Sequence, residues 1–414
     1  MLSATAGALL AVSLSTNPLQ QAQLSEEEQK IFNQEETVSQ DALKVPELTR
    51  PVNILILGTK VLTSDVNEPQ AEDLGYHALV NSFDGLSDTM LLVRFDPHKQ
   101  KLSVLSIPRD TRALVRGRYT KINEANYYGG PALAAESISE LLGGVKIDRY
   151  VRVNVQGVEK LVDALGGVKV YVPKDMKYID ESQHLYINLK EGEQILDGNK
   201  AMQFLRFRYD AFGDISRVQR QQILMRALVE QALNPKTIVK IPEILKVVQS
   251  HLDTNLSLKE LIALGGFAAK TEREDVQMLL LPGEFSGNGR QEVSYWLPHP
   301  RSIRRIVAQQ FDYASEDYML EEKDPSYVRI AIQDSTDDPE AVQRLVEFLR
   351  ESGYRRIYIS NKWSEHLDKT RIIAQKGDDA SAYGVRIKLG VGEVLVESTG
   401  VLNSDITIQL GEDW

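Results

Sequence analysis

Four arginines, Arg206, Arg208, Arg217 and Arg220, stand close together in LRFRYDAFGDISRVQRQQ (205–222), within a chain whose formal net charge is -11. Guanidinium groups gathered in one place repel one another. A multiply charged anion such as a diphosphate relieves that repulsion through bidentate hydrogen bonds. If the start of the stretch is extended, Arg206 and Arg208 share one face and Leu205 and Phe207 the other. Asp214 reads as the N-cap of a helix over 215–232, on which Arg217, Arg220, Gln221 and Leu224 fall on one side. Arg217 lies in the first turn, where a cation opposes the helix dipole unless an anion is near. The alternative is a solvated basic face, ion-paired with Asp210 and Asp214.

Two carboxylates complete the pattern, in Ser87-Asp88-Thr89 and in Pro108-Arg109-Asp110-Thr111; Lys121-Ile122-Asn123 follows. Each group falls at an expected strand end or in the loop after it, where α/β sheets bind ligands. Asp88 and Asp110 could share magnesium, which takes one or two carboxylates together with phosphate oxygens. Singly, Asp88 is explained as a turn or cap residue and Asp110 as an ion pair with Arg109. Metal-diphosphate chemistry is the reading that uses both together with Lys121 and the arginines.

Other chemistries lack their residues. With no cysteine there is no disulfide, thiolate nucleophile or cysteine-ligated metal. Neither a phosphate-binding Gly-x-x-x-x-Gly-Lys-Ser/Thr loop nor a Gly-x-Ser-x-Gly elbow occurs, and the six histidines lack metal-ligand spacing. The acidic balance and the unpatterned Trp296, Trp363 and Trp414 argue against a nucleic-acid partner.

The elements that must position these residues are legible in the periodicity. At 414 residues, with 42% hydrophobic and 26% charged residues, the chain is long enough for two or three cores. Strands are expected at 52–58, 88–95 and 101–107, the last two joined by a turn at 96–99. Helices are expected at 131–142 and 155–165, each stopped by a Gly-Gly pair, then at 235–250 and 257–269, with strands at 168–172 and 276–281. Residues 51–283 therefore read as a layered α/β domain, 284–324 as a connecting segment with a helix at 299–311, and 325–414 as a smaller α/β domain. The first 24 residues are uncharged and 1–14 mostly apolar, an anchor or signal remnant, and 25–50 a polar linker. The apolar run is shorter than the ~20 residues of a full membrane span.

The motifs ILILG (54–58), SDTM (87–90), SIPRDT (106–111), KIN (121–123) and RFRYDAFGDISRVQRQQ (206–222) together resemble the LytR-CpsA-Psr family of bacterial cell-envelope proteins. The end of the chain, from YVRIAIQDSTDD to GVGEVLVESTGVLNSDITIQLGEDW, looks like the LytR C-terminal domain. The resemblance implies a catalytic domain with a sheet flanked by helices, outside the cytoplasm and held to the membrane by its N-terminal segment. It implies a phosphotransferase that moves a glycopolymer from a polyprenyl-pyrophosphate carrier onto peptidoglycan. A polyprenyl-pyrophosphate phosphatase or a non-catalytic lipid-pyrophosphate binder is the alternative. Carried over by motif, Asp88 and Asp110 hold magnesium. Arg109, Lys121, Arg206, Arg208, Arg217 and Arg220 bind the pyrophosphate with Gln221 in support, and Asp110 accepts the acceptor proton. The prenyl tail is expected in an apolar channel between the strands and the helices at 131–142 and 215–232. One position departs from the family pattern: Leu86 stands where an arginine commonly precedes the Ser/Thr-Asp-Thr motif.

Overall fold

The apolar run Val52–Lys60 (β1) forms one of the two central strands of a six-stranded sheet. In this computed structural model the described residues are 21–39, 46–60, 83–181, 185–207 and 214–414, less 235–236, 238–239, 241–243, 245, 248, 273–274, 287–294, 314–323, 337, 364, 376–377, 398 and 402. β1 pairs antiparallel with Leu86–Asp96 (β2), which turns back into Lys101–Ser106 (β3). Asp96 holds that turn by accepting the backbone N–H of His98 and Lys99 at 3.1 Å each. A short hairpin, Arg112–Val115 (β4) and Arg118–Lys121 (β5), follows. Its two turn residues, Arg116 and Gly117, both have positive φ, the conformation that matches the twist of paired strands.

Helix Glu124–Leu141 (α1) starts earlier than the expected 131–142 and is broken at Gly129 and Gly130, which leave helical geometry. Pro131 thus opens a second helical piece, where its missing N–H costs nothing. Next come Arg149–Asn154 (β6) and Val155–Ala164 (α2), the latter capped by the Asn154 side chain on Gly157 N–H. Two small antiparallel pairs stand apart from the main sheet. Val168–Val172 (β7) pairs with Gly192–Leu196 (β10), and Met176–Asp180 (β8) with Leu185–Leu189 (β9). Helices Gly198–Arg206 (α3) and Asp214–Leu233 (α4) close over them. Leu252–Thr254 (β11), Leu258–Ala268 (α5) and Val276–Leu280 (β12) complete the unit, giving the sheet order β11-β6-β1-β2-β3-β12.

Alternation along the strands decides which helix covers which face. Leu55, Leu57, Met90, Leu92 and Leu105 pack with Ala132, Ala135 and Ile138 of α1. Their neighbours Leu91, Val93 and Val104 turn the other way, towards Phe267 of α5 and Met225 and Val229 of α4. The layered α/β arrangement is the expected one. α1 and α4 lie on opposite faces of the sheet, so no single channel runs beneath both helices. A second correction concerns the arginine stretch. Arg206 ends helix α3 and Phe207 is its C-cap, so this part is not the extended segment that would pair Arg206 with Arg208 on one face. Residues 61–82, Arg208 and most of the helix expected at 235–250 lie outside the described residues.

Beyond β12 the chain forms Gly283–Phe285 (β13), Trp296–Pro298 (β14) and Pro300–Phe311 (α6). A second sheet follows, from Arg329–Asp334 (β15), Arg356–Ile359 (β16), Arg371–Ala374 (β17), Glu393–Leu395 (β18) and Ile406–Leu410 (β19), in the order β16-β15-β19-β17-β18. Helices Pro339–Glu351 (α7) and Asp379–Leu389 (α8) pack on it through Leu345, Leu349, Ala382 and Val385. The two sheets meet at one strand. Met278 of β12 donates its N–H to Val396 O at 2.8 Å, and Glu397, fully buried, lies 3.6 Å from Arg226 of α4.

Among the described residues no helix is long and apolar enough to cross a membrane. Residues 1–20 of the expected anchor lie outside them. The chain after that point is tied to the β11 side of the sheet by a buried carboxylate. Asp253 accepts the N–H of Ala22 at 2.6 Å and the Tyr150 hydroxyl at 3.2 Å, and pairs with the Arg152 guanidinium. Burial, together with the Asp253 charge, pushes the Tyr150 pKa up, so its hydroxyl stays a donor. Asp253→Ala should take from the buried Arg152 its closest carboxylate, leaving it only Asp84 at 3.5 Å, and cost roughly 3 kcal/mol in denaturant unfolding. A loss below about 1 kcal/mol would show that the cluster is not holding this edge.

Candidate functional site

The site is built on an irregularity. Gly58 faces Thr89 and Thr59 faces Ser87, so Asp88 is an extra residue inserted into β2. Such a bulge re-aims the inserted side chain. It also falls where β1, β3 and β6 end. Gly58 allows the close approach, since a Cβ there would stand 3.1 Å from the Thr89 Cβ.

Asp110 reaches the same place from the end of β3. The Pro108–Thr111 turn is closed by Thr111, whose N–H and hydroxyl both donate to Pro108 O, at 2.9 and 2.6 Å. Two backbone bonds lace this turn to the end of β5: Ile122 N–H to Thr111 O at 2.9 Å and Asn123 N–H to Arg109 O at 3.2 Å. Ser87 N–H donates to Asn123 O at 3.2 Å and joins the bulge to the same seam. Three sequence-distant motifs are thereby held edge to edge by main-chain bonds.

Their side chains form a continuous network. Arg109 Nη1 lies 2.7 Å from Asp88 Oδ1, and Arg109 Nε lies 3.4 Å from Asp110 Oδ2. The other Asp110 oxygen is 2.7 Å from Lys121 Nζ. Burial works against the Arg109 charge, but the Asp88 and Asp110 carboxylates outweigh it and raise its pKa. Gln221 of α4 reaches the Asp88 carbonyl at 3.4 Å. Of the residues picked from sequence, Asp88, Arg109, Asp110, Lys121 and Gln221 are therefore joined by direct contact.

The remaining arginines are placed differently. Arg220, 3% exposed, donates to Phe207 O and stacks on the Phe207 ring at 5.5 Å, so it buttresses the α3–α4 junction. Arg206 adjoins it through Phe207. The side chain of Arg217 lies outside the described residues, as does Arg208. Two side chains that sequence patterns did not mark also stand here. Lys174 sits 5.6 Å from the Phe207 ring centre, and Tyr295 presents its ring 5.9 Å from Lys121 Nζ. The Tyr295 segment is fixed by Trp296, whose N–H donates to Asp110 O at 2.9 Å. Neither is marked by any motif, because both arrive from segments that read as connections.

The oxygen-only donor set of Asp88 and Asp110 fits a hard divalent cation, which needs no more than two protein carboxylates when a diphosphate supplies further oxygens. Arg109 and Lys121 now supply the positive charge between those carboxylates. Close by, the buried Thr59 Oγ1, Ser87 Oγ and Asn123 Oδ1 have no hydrogen-bond partner among the described residues, polar capacity of the kind that a bound ligand or water satisfies.

The family model described as the LytR_cpsA_psr family matches residues 14–312. The chain belongs to the LytR-CpsA-Psr family. A second model, described as LytR cell envelope-related transcriptional attenuator, matches residues 327–414. Among curated relatives, the polyisoprenyl-teichoic acid–peptidoglycan teichoic acid transferase TagV of Bacillus subtilis is 30% identical over 56% of this chain and 61% of its own. The regulatory protein MsrR of Staphylococcus aureus is 32% identical over 47% of this chain and 59% of its own. The chain thus spans about six-tenths of the length of these relatives. Among solved structures, that of Bacillus subtilis TagV superposes with a TM-score of 0.51 at 26% identity, over 64% of this chain and 99% of that one. A Streptococcus agalactiae protein shares the fold, with a TM-score of 0.53 at 22% identity over 66% of this chain and 91% of that one.

Arg220→Ala should cost about 1.5–3 kcal/mol in chemical denaturation, the worth of a charged hydrogen bond to a buried carbonyl. Unchanged stability would show that this bond does not brace the α3–α4 junction.

Proposed function

We propose that this family member transfers a glycopolymer from a polyprenyl-pyrophosphate carrier to a hydroxyl of peptidoglycan, acting outside the cytoplasm. The observation that carries the reading is the pair Asp88 and Asp110 set on either side of Arg109, with Lys121 on the far oxygen, where the sheet strands end. The TagV relative, whose name describes such a transfer, supports the same class of substrate.

Phosphoryl transfer asks a protein mainly for positioning and charge neutralisation. Arg109 and Lys121 hold their charge against carboxylates before substrate arrives, so they are oriented in advance. An incoming diphosphate competes for those cations, with Arg206, Arg208 and Arg217 as further ligands and Arg220 as their support. As Lys121 turns to phosphate, Asp110 gains a free oxygen for the proton of the attacking hydroxyl. That hydroxyl oxygen bonds to the glycopolymer-linked phosphorus, the bond to the distal phosphate breaks, and polyprenyl phosphate leaves with the electron pair. Magnesium held by Asp88 and Asp110 would supply additional neutralisation of the diphosphate charge. Membrane attachment through the N-terminal segment would bring the site to a lipid-borne donor.

An assay with a lipid-pyrophosphate-linked glycan, with and without peptidoglycan, separates the readings. Transfer predicts a covalent glycan–peptidoglycan product. Release of phosphorylated glycan to water alone would establish the phosphatase, and binding without turnover the non-catalytic binder. Arg109→Ala, Asp110→Asn and Arg206→Ala should each lower the rate by about 10²-fold or more with the fold intact by circular dichroism. Chelation of divalent metal should stop transfer and added magnesium should restore it; activity persisting through chelation would remove the metal from the proposal.

A further inference from the structure

Beside the site, on the β4–β5 hairpin and the first piece of α1, three tyrosines stand in solvent. Tyr119 is 67%, Tyr127 52% and Tyr128 46% exposed, and Leu86, next to the Asp88 bulge, is exposed as well. Large apolar surface left open and clustered marks a contact face. The rings are not alone. Arg112 stacks on Tyr119 at 5.0 Å and Arg116 on Tyr128 at 5.5 Å, and Arg116 also donates to Tyr128 O. Tyr127 and Tyr128 meet edge to face at 5.2 Å. Residues 112–128 carry four basic side chains against the single acidic Glu124, in a chain that is acidic overall.

We propose that this patch seats the protein on an anionic lipid bilayer, at the point where the lipid-borne donor enters. Tyrosine belongs at the headgroup level, with its ring in the apolar boundary and its hydroxyl in water, and stacked arginines reach the lipid phosphates from the same plane. A glycan-binding face would surround its aromatic rings with amides and carboxylates, whereas here the exposed neighbours are guanidinium groups. The position of the N-terminal end adds an independent argument. Ala22, where the apolar first segment joins the described chain, is bonded to Asp253, and Asp253 pairs with Arg152. Arg152 Nη1 reaches Asn126 Oδ1 at 3.4 Å, and Asn126 Nδ2 donates to Phe83 O and Gly85 O at 2.8 Å each. Asn126 precedes Tyr127, and Gly85 precedes Leu86. The end of the apolar segment and the patch are thus joined through three buried side chains, Asp253, Arg152 and Asn126.

The inference rests on the transferase reading for its donor but is tested without turnover. In the full chain, Tyr127→Trp puts a fluorophore in the patch, and the unsubstituted chain gives the background from Trp296, Trp363 and Trp414. With vesicles of phosphatidylglycerol and brominated phosphatidylcholine, the added fluorescence should be quenched and blue-shifted, and not with phosphatidylcholine alone. Combining Tyr119→Ser, Tyr128→Ser and Arg116→Gln should weaken binding to the anionic vesicles about tenfold or more. A Trp at 127 that stays unquenched on vesicle-bound protein overturns the proposal, and so does protection of that Trp by isolated peptidoglycan instead of vesicles. Turnover of a short-chain, water-soluble prenyl pyrophosphate donor should be unchanged in the patch variants. Failure of the unsubstituted chain in that assay would count against the transferase reading and leave the vesicle result standing.

Discussion

The structure around the site depends on one electrostatic arrangement: a guanidinium held between two carboxylates, with an ammonium on the far side. Arg109 cannot leave Asp88 without uncovering a partly buried negative charge, and Lys121 stands in the same relation to Asp110. The four groups come from the ends of the paired strands β2 and β3 and from a hairpin, which this exchange of charge and the main-chain bonds beneath it hold together. Partly shielded from water, such a network costs free energy to open unless another charge takes the place of the partner lost. It therefore holds the Asp88 bulge, the Pro108–Thr111 turn and the β4–β5 hairpin in one register. It also keeps the cations oriented, so that an anionic ligand meets donors already in place.

Around that network the helices do different work on the two faces. α1 covers the face that carries Leu55, Leu57 and Met90, and its break at Gly129–Gly130 leaves the first piece free to follow the hairpin. α4 covers the opposite face and touches the site at Gln221, the α3 junction at Arg220 and the second domain at Arg226. One helix therefore reports on three regions at once.

Much of this was legible in the chain, and the reasons for the rest are physical. The strand at 52–58, the hairpin through Asp96 and the helix stops at paired glycines follow from alternation and turn chemistry, which are local. Asp88, Arg109, Asp110 and Lys121 were legible because each sits in a short motif at a strand end. The bulge at Asp88 was not, since an inserted residue shows only when the partner strand is known. The end of α3 at Arg206 hid behind a two-residue spacing that suits a strand equally well. The buttress role of Arg220 depends on Phe207, and Tyr295 arrives at Lys121 through tertiary closure; neither has a local signature. That α1 and α4 cover opposite faces was not legible either, because sequence does not say which face of a sheet a helix will cover.

The junction between the sheets has a consequence for how the protein can be divided. Val396 and Glu397 occupy the outer side of β12, the edge strand of the six-stranded sheet. Cutting the chain before residue 327 would bare that strand's hydrogen-bonding groups and leave Arg226 without the Glu397 carboxylate. An uncovered strand of this kind is a template for pairing with another copy. A chain cut there should therefore self-associate, because Val396 and Glu397 no longer cover that edge.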